Sequence, residues 1–351
     1  MTAEPTLTSR ELNRALLARQ FLLERSTLGL IPTLERIGGL QTQYAPSAYI
    51  GLWSRMRNFR REGLTTALEQ RRVIQGTLLR STIHMVSARD YWLFLAAIRQ
   101  PRQEWWRRIT RHEFGHLDME GAVAALREHL AGGPRRADEL KAMLAARGLP
   151  SLIWGGMAQW VDMVRVPPSG TWEQRRADLY SLAETWTRPA AHQESAGLEH
   201  LIRRYLGGFG PASIKEIADW AGIPPATLAP MMDRLALRRF RDENGKPLLD
   251  LPRAPRPEAS TPAPVRFLPT WDATLLVHAR RTEILPERYR PLVFNTRTPH
   301  SAPTFLVDGA VAGTWRFEGG RVELKPFAPL PTSARVDLDA EARRLARFLS
   351  G

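Results

Sequence analysis

Apolar residues recur along this chain at helical spacing, interrupted by short runs that alternate at strand spacing. After Thr8-Ser9-Arg10-Glu11, whose hydroxyls suit a helix N-cap, Leu12, Leu16, Leu17 and Phe21 mark one face of a helix. Pro32 opens a second, short helix that ends near Gly38-Gly39. A third is predicted from Pro46 to about Phe59, with Ile50, Trp53 and Met56 on its apolar face. Val73-Ile74 and Leu78-Leu79 flank Gln75-Gly76, which reads as a tight turn. Arg80, Thr82, His84 and Val86 then alternate with Leu79, Ile83 and Met85, which puts Arg80, Thr82 and His84 on one polar face. Three helices followed by a two-stranded wing is the order of a winged helix.

The order recurs twice. Met119–Leu130, Ala137–Ala146 and Trp154–Val164 read as helices, with a β-like return at Val164–Pro168 and Trp172. Glu199–Leu206, Ser213–Ala221 and Pro225–Leu237 form another triple, followed by a hairpin across Glu243-Asn244-Gly245. A Pro-rich stretch over 252–264 separates these from short strands at 265–268, 273–278, 304–307, 310–317 and 321–327. A last helix begins at Asp337 or Asp339 and ends near Leu349. The predicted fold is mainly α with β: three tandem winged-helix modules followed by a small C-terminal β-barrel. The expected boundaries are 1–115, 116–194, 195–255 and 256–351, the first module carrying the loop discussed below.

Charge narrows the partners. The net charge is +14, and only four of the 50 basic residues are Lys. A field of that sign attracts polyanions, and neutralising phosphates drives much of DNA binding. No apolar run approaches the ~18–20 residues needed to span a bilayer, and the first residues carry no secretion signal. The expectation is a bacterial-type cytoplasmic, nucleoid-associated protein without membrane contact. No heptad helix offers a dimer seam, so a monomeric clamp is expected.

Composition also narrows the chemistry. Cysteine is absent, which excludes disulfides, thiolate zinc sites and a Cys nucleophile. His112-Glu113-Phe114-Gly115-His116 matches H-E-x-x-H, but Gly115 within it and Asp118 after it suit a helix end better than a zinc-protease helix. There is no Gly-rich phosphate loop and no G-x-S-x-G elbow. No metal or cofactor is expected.

Between the second and third predicted helices lies Leu40-Gln41-Thr42-Gln43-Tyr44-Ala45-Pro46. Two Gln flanking one residue point the same way on an extended backbone and can together orient a water. By pattern alone the segment is also a polar turn with solvated amides.

Here a family resemblance adds content. Gln41, Gln43 and Pro46 followed by Gly51-Leu52-Trp53-Ser54-Arg55 closely resemble the AlkZ/YcaQ-type DNA glycosylases, which carry Gln-Φ-Gln before such a helix. The resemblance continues through Arg80-Ser81-Thr82-Ile83-His84, Gly208-Phe209-Gly210-Pro211-Ala212, Leu268-Pro269-Thr270-Trp271-Asp272, Val307-Asp308-Gly309 and Ala312-Gly313-Thr314-Trp315. Thr42 departs from the hydrophobic residue usual at its position. The resemblance implies three winged helices and a barrel around a DNA channel. It implies hydrolysis of the N-glycosidic bond of N7-alkylated guanine, with Gln41 and Gln43 as catalytic residues. Bulky adducts are the implied substrates, interstrand crosslinks a further candidate, and self-resistance to an alkylating antibiotic a possible setting. The implied partner is double-stranded DNA carrying an alkylated purine.

N7 alkylation leaves the base cationic, so its departure needs no acid; positioning water and stabilising an oxocarbenium-like sugar remain. The first module holds no Lys, so a Schiff-base lyase step is not expected and the enzyme would be monofunctional. Glu35 and Asp90 are rival carboxylates, more at home at helix ends or solvated faces. Arg55, Arg57, Arg80, His84, Arg280 and Arg281 are the candidate DNA contacts, with His278 beside them. A solvated helix end for Arg55 and Arg57 and a structural role for His84 stay open. Trp53 and Trp315 read as core. The alternative function is a winged-helix transcriptional regulator without catalysis.

Overall fold

Thr8 caps the first long helix as its sequence dictates: its hydroxyl accepts from Glu11 N–H at 3.2 Å, and the Glu11 carboxylate accepts from Thr8 N–H at 2.8 Å. The computed structural model describes residues 4–115, 117–151, 153–276, 281–295 and 300–351. It opens with β1 (Thr6–Leu7) and α1 (Ser9–Arg19).

A first unit follows: α2 (Leu30–Arg36), β2 (Leu40–Gln41), α3 (Ala45–Arg55), α4 (Arg61–Glu69), β3 (Val73–Thr77) and β4 (Ile83–Ser87). The long helix α5 (Ala88–Phe114) leads to the second: α6 (Met119–Ala131), β5 (Arg135–Arg136), α7 (Ala137–Ala146), α8 (Ile153–Trp160), β6 (Met163–Arg165) and β7 (Leu179–Leu182), with a short α9 (Ala183–Trp186) after it. The third comprises α10 (Glu194–Phe209), α11 (Ile214–Ala221), α12 (Pro225–Met232), β8 (Arg238–Asp242) and β9 (Pro247–Asp250). Each unit runs helix, strand, helix, helix, hairpin. In the third the lone strand shrinks to a single bridge, Ala212 to Leu249.

The first two units share one six-stranded sheet in the order β2-β4-β3-β6-β7-β5. Its centre is the antiparallel pairing of β3 with β6, so the two hairpins join edge to edge. That join corrects the turn expected at Gln75-Gly76. Both residues lie inside β3, paired with β4 on one side and β6 on the other. Gly76 serves close approach rather than a turn: a Cβ there would lie 2.8 Å from the Tyr91 ring. The turn falls instead at Leu78–Thr82.

Other boundaries shift too. The predicted third helix ends at Arg55 rather than Phe59, and α4 follows it unforeseen. Trp172, read as part of a strand, belongs to none and packs edge-on against Tyr49. The last helix starts earlier than Asp337, at Thr332.

The C-terminal region holds β10 (Arg266–Leu268), α13 (Arg290–Val293), β11 (Phe294–Asn295), β12 (His300–Ser301), β13 (Thr304–Val307), β14 (Ala310–Glu318), β15 (Arg321–Pro326) and α14 (Thr332–Ser350). Four strands pair in the order β10-β13-β14-β15, and β11 pairs only with β12, so the described strands form an open sheet and close no barrel. Residues 273–276 are turn rather than the predicted strand; 277 and 278 lie outside the described residues.

Phe267, Phe305 and Trp315 of this sheet and Leu338 and Leu345 of α14 share one core with Ala48, Leu52 and Trp53 of α3. Two buried ion pairs tie distant segments together. Arg19 of α1 meets Asp250 of β9 at 2.7 Å, and Arg55 of α3 meets Asp272 at 2.9 Å, all four side chains fully shielded. Among the described residues no helix is long and apolar enough to cross a membrane.

Candidate active site

Gly38 and Gly39 end α2 in the left-handed region and turn the chain into β2. Leu40 and Gln41 pair with Met85 and His84 of β4, and Thr42 N–H extends the ladder to Ile83 O at 2.8 Å. Thr42 is buried, and its hydroxyl accepts from Gln75 Nε2 at 3.3 Å. Thr42 thus gives a buried amide a partner. Gln43 is exposed, and its amide takes no hydrogen bond from the described residues. Tyr44 next accepts from Arg175 Nη1 at 3.1 Å, and α3 begins with Pro46 in its first turn.

Gln41 is nearly buried, and its Oε1 accepts from Arg80 Nη2 at 2.7 Å. Arg80 Nη1 donates to Trp220 O, 2.6 Å away at the end of α11. Burial pulls the Arg80 guanidinium down to about 10, which leaves it charged at neutral pH. His84 lies opposite Gln41 in the ladder, buried. Burial first, then the nearby Arg80 charge, pushes its imidazole down to about 3, so the ring is neutral. Its Nδ1 sits 3.0 Å from Thr82 O, an acceptor only, so Nδ1 carries the proton and Nε2 keeps its lone pair.

The remaining candidates separate. Arg55 is not a phosphate contact: its five N–H groups go to Asp272, Gly51 O and Gln20, inside the protein. Arg281 is likewise buried, donating to Tyr205 Oη at 2.9 Å and Phe209 O at 3.3 Å. His84 is too buried for the surface contact expected of it. Arg57 stays exposed, paired with exposed Glu24 at 2.8 Å. Arg280 and His278 lie outside the described residues, as does His116 of the HEFGH segment, whose helix ends at Phe114. Glu35 and Asp90 both pair with Arg204, at 2.7 and 2.9 Å, and Asp90 also accepts from His200. Neither touches Gln41 or Gln43. Trp53 and Trp315 are core, as expected.

Sequence reading missed what Arg80 holds. Gln41, Arg80 and Trp220 meet across 179 residues of chain, and nothing local in the sequence announces it. The one signal was Gly222 after an amphipathic helix, which marks where α11 stops.

This strand end can orient water and donate hydrogen bonds. Its two amides do not titrate, and its imidazole is neutral, so it is not built for strong acid or base catalysis. The model of the AlkZ-like DNA glycosylases matches residues 34–348, nearly the whole chain. The chain belongs to the AlkZ-like DNA glycosylase family. It is an enzyme acting on DNA, and the regulator reading falls away. The solved structure of the Streptomyces sahachiroi DNA glycosylase AlkZ resembles this AlkZ-like chain with a TM-score of 0.80, covering 97% of each chain at 17% sequence identity. At that identity the likeness establishes the shared fold. No curated protein matches the sequence.

Proposed function

We propose that this glycosylase hydrolyses the N-glycosidic bond of N7-alkylated guanine in double-stranded DNA, bulky adducts included, with Gln41 and Gln43 as its catalytic residues. The observation that carries the reading is the state of the two amides. Gln41 is fixed by Arg80, while Gln43 on the same strand end is exposed and its amide takes no hydrogen bond among the described residues. Together they hold the attacking water and face the oxocarbenium-like sugar. A cationic base leaves without protonation, so orientation is the contribution required. The same chemistry spares normal nucleotides, whose bases are poor leaving groups. No Lys stands in the first unit, and the product is an abasic site left uncut.

The helix–strand–helix–helix–hairpin order, repeated three times, supports reading each unit as a winged helix, at 1–115, 116–194 and 195–255. The chain acts as a monomer whose basic surface holds the DNA backbone, with exposed Arg57 among its phosphate contacts. Interstrand crosslinks and self-resistance to an alkylating natural product fit the same chemistry. The test is to incubate the protein with a duplex bearing N7-methylguanine or a bulkier N7 adduct and then treat with alkali. Strand cleavage at the adduct, absent before alkali, is the expected result. No cleavage with any adduct overturns the substrate assignment.

A further inference from the structure

We propose that Arg80 is a positioning residue of this reaction, held by the third unit so that it fixes the amide of Gln41. The inference rests on the reading of Gln41 above. A guanidinium only donates, so the Gln41 atom that meets Arg80 Nη2 at 2.7 Å is the amide oxygen. The Gln41 NH₂ is therefore turned away from Arg80 and offers donors to an oxygen of water or sugar. Without Arg80 the amide is free to flip, and either end faces the substrate.

Arg80 is itself restrained at both ends. Its other terminal nitrogen donates to Trp220 O at 2.6 Å. Its backbone is left-handed, φ 52°, and so is that of Ser81, φ 56°. Two successive non-glycine residues in that region persist only where the surroundings impose them. The surroundings here are the tight turn, closed by Ser81 N–H to Leu78 O and Thr82 N–H to Leu79 O, and the end of α11. Gly222, left-handed at φ 76°, lies so close that a Cβ on it would stand 2.8 Å from Arg80 Cα. Among the described residues no carboxylate pairs with Arg80; it spends its donors on a carbonyl and an amide. A strong donor with neutral partners is suited to orienting one of them.

This makes the third unit part of the active site without contact with the reacting atoms. It also separates Arg80 from the DNA-gripping arginines, with which its charge alone would group it.

The experiment measures single-turnover release of N7-methylguanine at saturating protein, together with duplex affinity against salt, for four variants. Arg80→Ala is expected to slow release about a hundredfold while affinity and its salt slope stay near wild type. Arg80→Lys, which keeps the charge but only one donating nitrogen, is expected to recover part of the rate. Gly222→Ala leaves every Arg80 donor in place but displaces its backbone, and is expected to slow release likewise; it serves if Arg80→Ala fails to fold. In a Gln41→Ala background, Arg80→Ala is expected to cost nothing further. The inference is overturned if Arg80→Ala keeps the wild-type rate at saturation and instead weakens binding with a salt slope smaller by about one, the signature of a phosphate contact. It is also overturned if the two substitutions multiply. If Gln41→Ala alone keeps the wild-type rate, the reading of Gln41 fails, and that outcome is distinct from either.

Discussion

Arg55 and Asp272 meet through two parallel 2.9 Å hydrogen bonds, both side chains wholly out of water. Arg55 closes the helix that the Gln loop opens, and Asp272 belongs to the C-terminal region, so this pair fixes the loop's helix to the sheet behind it. Gln20 completes the cluster. Its Oε1 faces Arg55 and its Nε2 donates to Ile37 O and Gly208 O, which brings α1, α2 and α10 to the same point.

Breaking this pair from one side strands a buried charge. Asp272→Ala is expected to destabilise the fold by about 3–5 kcal/mol. Chemical unfolding measures it, and a loss under 1 kcal/mol contradicts the role. Had Arg55 been a phosphate contact, its removal would spare stability and change salt dependence instead.

His84 predicts an acid sensitivity. Its folded value, about 3, is below the ordinary unfolded value near 6.5, so between those limits the unfolded chain binds a proton the folded chain refuses. Stability from this group is full above about pH 6.5 and is lost as pH falls toward 3. From pH 6.5 to 4.5 the loss is on the order of 2–3 kcal/mol. His84→Gln is expected to flatten that part of the stability profile, read from unfolding midpoints across the range. An unchanged profile contradicts the neutral, buried imidazole.

Arg57 predicts the opposite combination. Its pair with Glu24 is between exposed side chains, and such pairs contribute at most about 1 kcal/mol. Arg57→Ala is expected to leave unfolding unchanged and to reduce the slope of log affinity against log salt by about one. An unchanged slope removes Arg57 from the DNA contacts.

How far the sequence carried the account differs by element. Helices with clean apolar spacing and caps were legible: Ala137–Ala146 matches residue for residue. So were strands bounded by Asp308-Gly309 and Gly319-Gly320, whose left-handed turns the structure contains. α4 was hidden by charge: Arg61-Glu62-Gly63 obscures Leu64, Ala67 and Leu68, which alone face the core. The turn at Arg80 was illegible because two non-glycine residues adopt a conformation that glycine usually signals. The arginines show the same limit. Spacing placed Arg55 and Arg57 together at a helix end, yet one is sealed against Asp272 and the other faces water. Only the three-dimensional arrangement separates a buried arginine from an exposed one. The Gln pair stands out in the sequence only through family resemblance, while the contact of Gln41 with Arg80 depends on the fold.

Two neutral amides are proposed to do the chemistry. The most direct measurement is release of N7-methylguanine from duplex DNA by wild type and by the Gln41→Ala, Gln43→Ala double variant, at protein concentrations where both are shown to bind. Loss of release with duplex affinity retained is the expected result. Release at the wild-type rate by the double variant contradicts it.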